Sequence, residues 1–234
     1  KRRGGNVSWV GHPMLDLTKK LPSKKFSRTI LKLRENQNIL LLMPASRPQE
    51  LKYILPTFLK TAKKLQLRYP SLVVYIPSCR RVFDEKFRKG LETYEIKGKV
   101  ISQQYNSEFM PYIYSLTKLA LCKSGTVNME LALYGIPQII GYRVSRVTAF
   151  IAKRILNFKV RFISPVNLLV KKFIIPEFVQ KNFNEKKIFY KACRLLDLTS
   201  EKAKIKKGYT LLKKELGEEG VVDRAAKEII KSII

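Results

Sequence analysis

Apolar positions along this chain fall into short continuous runs, separated by longer stretches in which they recur every third or fourth residue. The first clear run, Asn38-Ile39-Leu40-Leu41-Leu42-Met43, closes at Pro44, as a strand buried on both faces does. Leu51, Leu55, Phe58, Leu59, Ala62 and Leu65 then share one helical face, with Lys52, Lys60, Lys63 and Lys64 on the others, which predicts a helix over residues 48–67. The alternation repeats: strands are expected at 71–76, 99–102, 119–122 and 138–141, and helices at 83–91, 108–116 and 127–134, the last ending in the turn Gly135-Ile136-Pro137. Short strands alternating with helices imply an α/β fold with a doubly wound parallel sheet.

Beyond Gly141 the pattern changes. Residues 148–158 are a helix candidate, 160–164 are ambiguous, and 185–196, 201–216 and 225–233 read as helices. The resulting partition is one α/β domain over residues 1–180 and a C-terminal helical extension over 181–234. At the other end a strand-like stretch is expected within a few residues of Lys1. A chain opening on Lys rather than Met suggests that an N-terminal portion has been cut away.

Charge widens the field of partners. The chain holds 47 Lys and Arg against 18 Asp and Glu, a formal net charge of +29, which attracts nucleic acid, anionic lipid and phosphorylated substrates alike. The cations are scattered from Lys1 to Lys231, without the arginine clusters and interleaved aromatics of a nucleic-acid reader. A solvated lysine coat explains them equally well. Cys79, Cys122 and Cys193 are far apart and odd in number, suggesting neither a disulfide framework nor a metal cluster, and a reducing compartment fits. No apolar run reaches the ~18 residues that span a bilayer, so membrane contact would be peripheral. Residues 147–162 place Val147, Phe150, Ile151, Ile155, Phe158 and Phe162 at helical steps among Lys153, Arg154, Lys159 and Arg161. Such a basic amphipathic stripe either lies on an anionic membrane or packs on its own domain.

Chemistry in an open parallel sheet gathers beyond the carboxyl ends of the strands, where loops enter helices and backbone N–H groups lie unpaired. Two junctions qualify. Pro44-Ala45-Ser46-Arg47 brings a hydroxyl and a guanidinium to the start of a helix, groups suited to phosphate oxygens. Ser124-Gly125-Thr126 offers close backbone approach at its glycine. Taken singly, either could be a helix cap and nothing more. Glu130, four residues past Thr126, can turn its carboxylate back toward the loop to accept ribose hydroxyls, or sit as an exposed polar position.

Read together, several blocks resemble the lipid A disaccharide synthase family: Val10-Gly11-His12-Pro13 with Asp16, Leu41 through Arg47 with Glu50, and Lys123-Ser124-Gly125-Thr126 with Glu130-Leu131-Ala132. Gly141-Tyr142-Arg143, Ala152-Lys153-Arg154, Pro165-Val166-Asn167-Leu168-Leu169 and Pro176-Glu177-Phe178-Val179-Gln180 continue it in order, so the likeness runs from about Val7 to Gln180. The resemblance implies one half of a GT-B glycosyltransferase, a Rossmann-like domain that holds the nucleotide of the donor. The implied reaction joins a UDP-linked acylated glucosamine donor to an acylated glucosamine 1-phosphate acceptor, with release of UDP, as a step of lipid A biosynthesis. It implies no cofactor and no metal. The catalytic base is expected in an N-terminal half outside this chain.

Carried over by position, Ser46 and Arg47 meet the diphosphate, Ser124, Gly125 and Thr126 form its second wall, and Glu130, Asn167 and Gln180 match polar residues of the cleft. The implied partners are the two sugar substrates, the N-terminal half, an anionic membrane surface and a second copy of the chain, with the protein cytoplasmic and peripheral at the inner face of the membrane. Ala45 departs from the family's usual glycine, so its methyl either crowds a phosphate or needs a different backbone angle. Val166 is an insertion between Pro165 and Asn167. His12, the only histidine, falls where the interdomain hinge of the family would lie, and reads as a hydrogen-bonded structural residue. A basic nucleic-acid-binding protein and a non-catalytic interaction module are the alternatives, and neither accounts for both loops.

Overall fold

The computed structural model describes residues 7–145 and 161–233. Among them, six strands form one parallel sheet: β1 Asn38–Met43, β2 Leu72–Pro77, β3 Gly98–Ile101, β4 Thr117–Cys122, β5 Gln138–Tyr142 and β6 Glu177–Val179, in the order β3-β2-β1-β4-β5-β6. This is the Rossmann-like doubly wound order, in which the chain builds outward from β1 in one direction and then returns to build outward in the other. The helices are α1 Met14–Leu17, α2 Lys24–Leu31, α3 Pro48–Arg68, α4 Asp84–Thr93, α5 Asn106–Leu116, α6 Val127–Leu133, α7 Pro165–Val170, α8 Glu185–Asp197, α9 Thr199–Leu216 and α10 Val221–Ile233.

The long apolar run is central for a physical reason. Ile39, Leu40, Leu41 and Leu42 are completely buried because β1 has a parallel neighbour on each side and helices over both faces. Right-handed crossovers place α3 and α4 on one face and the returning α5 on the other, where α5 packs on α2 and β1. The C-terminal helices share this core. Helix α8 lies along α3, and α9 contacts α6 and α7, its Tyr209 hydroxyl donating to the Ile136 carbonyl at 2.8 Å.

Two glycines are needed for different reasons, one for a close approach and one for a turn. A Cβ on Gly141 of β5 would overlap the Phe183 ring, which stacks edge-on against Phe58 of α3 with centroids 5.3 Å apart. Gly135, at φ +70, reverses the chain after α6, and the Gly135 and Ile136 amides donate to the Ala132 and Leu131 carbonyls at 3.0 and 2.9 Å.

Among the described residues no strand forms near the N-terminus, since residues 7–12 carry no regular structure. Their backbone bonds go elsewhere: the His12 amide donates to Leu216 O at 2.9 Å, and Arg224 Nε donates to Val10 O at 3.0 Å. His12 Nδ1 accepts the Met14 amide at 3.2 Å, the structural use expected of it. Asp16 accepts the Gly220 and Val222 amides at 2.7 and 2.8 Å, pinning this segment to the start of α10. The ambiguous stretch ends in a short helix, α7, capped by Ser164, and β6 adds a three-residue edge strand. The helix candidate at 148–158 lies outside the described residues, as does nearly all of the basic stripe at 147–162.

Candidate functional site

The sheet reverses its direction of growth between β1 and β4, and the crevice outside the carboxyl ends of that strand pair is where an open α/β sheet takes its ligand. Met43 and Cys122 are register partners at that end, and the Lys123 amide donates to Met43 O at 3.0 Å. The Ser46-Arg47 loop leaves β1 and the Ser124-Gly125-Thr126 loop leaves β4, so the two lie side by side on the same edge of the sheet.

A carboxylate joins them. Glu50, in the first turn of α3, accepts the Ser46 amide at 2.6 Å and the Arg47 amide at 2.9 Å, while its other oxygen takes the Lys123 ammonium at 2.9 Å. Burial pushes the Glu50 carboxyl up, but these amides and the Lys123 charge outweigh it and hold the group below its ordinary value. The Ser46 and Arg47 amides are therefore spent inside the protein. Ser46 and Arg47 are exposed on that loop, the Ser46 hydroxyl donating to Glu50 at 3.3 Å. Ala45 keeps a negative φ and its carbonyl accepts the Cys79 thiol at 3.3 Å, so the loop holds its form without a glycine.

The second loop is tied down in the same way. Buried Asn128 accepts the Gly125 amide at 2.9 Å and donates to Lys123 O at 3.1 Å, and buried Gln138 donates to Asn128 O at 2.8 Å. The Ser124 hydroxyl donates to Ile163 O, joining the loop to the approach of α7. Thr126 is exposed.

Beside the loops opens a cavity of about 360 Å³, bounded by Met43 and Pro77 at the strand ends, Asn106 at the start of α5, and Tyr114, Glu130 and Tyr134. Burial raises the Glu130 carboxyl above its ordinary value, and the Tyr114 hydroxyl offsets only part of this. A carboxylate held in such a cavity, facing the same edge as the loops, is a strong acceptor for hydroxyls.

Asn167 and Gln180 are placed differently. Asn167 is completely buried and its amide is fully used: Oδ1 accepts the Ile174 and Ile175 amides at 2.8 and 3.0 Å, and Nδ2 donates to Ile175 O and to Glu177 at 2.8 and 2.7 Å. Gln180 follows β6 at φ +51 and accepts the Val144 amide at 3.3 Å. It lies two strand positions from β4, about 10 Å across the sheet. Between them Glu177 accepts the Ile163 and Ser164 amides at 2.8 and 2.9 Å, so this cluster braces the wall behind the Ser124 loop. Among the described residues no group of three His, Cys, Asp or Glu side chains could hold a metal ion.

Comparison with known proteins identifies the family and the fold. The lipid-A-disaccharide synthase of Prochlorococcus marinus (strain MIT 9313) is 45% identical over 229 residues, and that of Gloeothece citriformis (strain PCC 7424) is 36% identical over 229 residues. Each alignment covers 98% of this chain and 58% of the relative, so the chain spans well under two thirds of the length of the curated relatives it matches. The S. aureus MnaA structure with UDP superposes with a TM-score of 0.66 at 13% identity, over 96% of this chain and 54% of that one. WaaG, a glycosyltransferase involved in lipopolysaccharide biosynthesis, superposes with a TM-score of 0.53 at 12% identity, over 89% and 50%. At such identities these likenesses speak to the fold alone, and they cover about half of each structure. The family described as lipid-A-disaccharide synthetase matches residues 1–234, and the chain belongs to it.

Proposed function

We propose that the chain is the donor-binding half of a glycosyltransferase that moves an acylated glucosamine from a UDP-linked donor to an acylated glucosamine 1-phosphate, releasing UDP. The observation that carries this reading is the pair of loops at the switch point, clasped by Glu50 and Lys123 next to the Glu130 cavity. The diphosphate lies between the Ser46 and Arg47 side chains and the Ser124-Gly125-Thr126 loop, and Glu130 accepts the ribose hydroxyls. Asn167 and Gln180 serve from behind by shaping the cleft wall. As the glycosidic bond to the donor breaks, negative charge grows on the departing diphosphate, and the Arg47 guanidinium stabilises it where it develops. The base that takes the proton of the attacking hydroxyl comes from a facing half outside this chain. The protein works at the inner, cytoplasmic face of a membrane, where both acylated substrates reside.

Calorimetry tests the binding half of the proposal. UDP should bind the chain as it stands, and Arg47→Ala should weaken it by about 1.5–3 kcal/mol, the scale of a hydrogen bond to a charged group. A transfer assay on acylated substrates should show turnover only when the N-terminal half of a relative is supplied. A folded sample that ignores UDP would sink the nucleotide site, and robust transfer by the chain alone would show that the base lies within it.

A further inference from the structure

Helix α7 has an outer face that does not suit water. Its inner residues Val166 and Asn167 are completely buried, whereas Leu168 and Leu169 are 58% and 41% exposed, and Phe173 in the following turn is 64% exposed. A helix that merely packs on its domain carries polar residues outside. These three exposed apolar side chains fall within six consecutive residues, and Arg161, Lys171 and Lys172 are exposed as well. Phe173 stacks on Phe162 with centroids 4.7 Å apart, and the Arg161 guanidinium sits 5.2 Å above the Phe162 ring, bringing that cation to the same place. Between Glu130 and Glu177 the sequence contains no acidic residue at all.

The turn is also held in shape. Lys171 takes a left-handed conformation at φ 55, and Asn167 clamps the returning chain through the Ile174 and Ile175 amides. Helix α7 begins where the Ser124 hydroxyl meets Ile163 O, and its six residues rise about 9 Å. The apolar tip is thus about one short helix away from the loop assigned to the diphosphate.

We propose that the end of α7 and the turn after it form the face that seats on an anionic lipid bilayer. Leu168, Leu169 and Phe173 enter the headgroup region, and Arg161, Lys171 and Lys172 meet lipid phosphates. The inference deepens the reading above, on which it rests for the acylated substrates, and it supplies a reason for the donor loop to lie near a membrane surface.

Vesicles of phosphatidylcholine with and without phosphatidylglycerol provide the test, by sedimentation of the whole chain. Because a net charge of +29 binds anionic vesicles from any side, Lys171→Glu with Lys172→Glu is compared with Lys60→Glu and Lys86→Glu, two exposed lysines on other helices. The α7 pair should lose at least about tenfold in binding and the control pair much less. Leu168→Ser with Leu169→Ser should abolish the binding that survives near 1 M salt, where the Debye length is about 3 Å. Trp9 is the only tryptophan, so Trp9→Phe with Phe173→Trp should show a blue shift of emission on anionic vesicles. Equal losses in both lysine pairs, or indole emission from the Phe173→Trp variant that does not shift, would overturn the proposal, as would concentration-dependent self-association that the serine variant removes while vesicle binding persists. UDP affinity measured on the same variants keeps the two readings apart: it should not change, and its absence in every sample would count against the nucleotide site alone.

Discussion

Removal of the Lys123 ammonium is the most direct perturbation of the clasp between the two loops. In Lys123→Met the Glu50 carboxylate keeps its Ser46 and Arg47 amides but loses its countercharge, with only 12% of its side chain exposed. At 2.9 Å the pair's gross attraction is about 6 kcal/mol for an effective dielectric of 20. Desolvation of both groups offsets more than half of that, and the remaining solvent contact screens some of the rest, leaving a net destabilisation of about 2–3 kcal/mol. The pH dependence fixes the sign. Glu50 has a folded value below its ordinary one, so its stabilising contribution is present above the normal carboxylate range and disappears as pH falls through the depressed value. The difference between wild type and Lys123→Met should therefore be full at neutral pH and shrink toward zero once Glu50 is protonated in both. Urea unfolding followed by circular dichroism, repeated on Glu50→Gln and the double variant, measures the coupling. A coupling energy under about 0.5 kcal/mol, or a difference that stays constant into acid, would refute the clasp.

Glu130→Gln should raise the urea midpoint at neutral pH, because the buried carboxyl titrates above its ordinary value and its ionised form costs stability there, yet UDP should bind more weakly by about 0.5–1.5 kcal/mol. A variant that gained stability and also bound UDP as well as wild type would remove Glu130 from the site. Gly141→Ala should cost about 1–3 kcal/mol, since its methyl meets the Phe183 and Phe58 rings, and circular dichroism in urea reads the loss directly. Gly135→Ala should cost only about 1–2 kcal/mol, from its left-handed backbone, because nothing lies within 4 Å of the added carbon.

Much of this site can be read in the sequence because its signals are local. The run at Asn38–Met43 and the periodicity that follows place β1 and α3, and with β4 and α6 they put Ser46, Arg47 and Ser124 at junctions before any coordinates are known. What holds those junctions is not local. Glu50 reaches Lys123 across 73 positions and Asp16 reaches Gly220 across 204, and hydrogen bonds over such separations leave no period in the sequence. One trace did exist: Pro48 at the first helical position with Glu50 two residues later is a capping arrangement, and it points the carboxylate back at the loop. The edge strand β6 was hidden because three half-buried residues are too few to show alternation. Asn167 looks like a cleft residue by position in the family's motif, but its amide is consumed by the chain around α7, a fact that only the fold of 163–177 reveals.

The scarcity of acids gives the surface its character. With 18 carboxylates against 47 cations, several acids are committed inside: Asp16 to the start of α10, Glu50 to the loop clasp, Glu177 to the approach of α7, and Glu201 to Lys191 and Arg194 at 2.6 and 2.9 Å. Acids engaged in this way stabilise particular backbone turns and leave most surface lysines without a countercharge. The field outside is correspondingly positive, but it decays over about 8 Å at physiological ionic strength. It can gather anionic lipid and anionic substrates near the protein without selecting among them. Selection must come from built features, the clasped loops for a diphosphate and the apolar tip of α7 for a bilayer. Salt separates the two contributions. Vesicle association should fall steeply as salt rises, to a floor set by the α7 apolar side chains, whereas UDP affinity, resting on short contacts in a partly enclosed cleft, should fall far less over the same range.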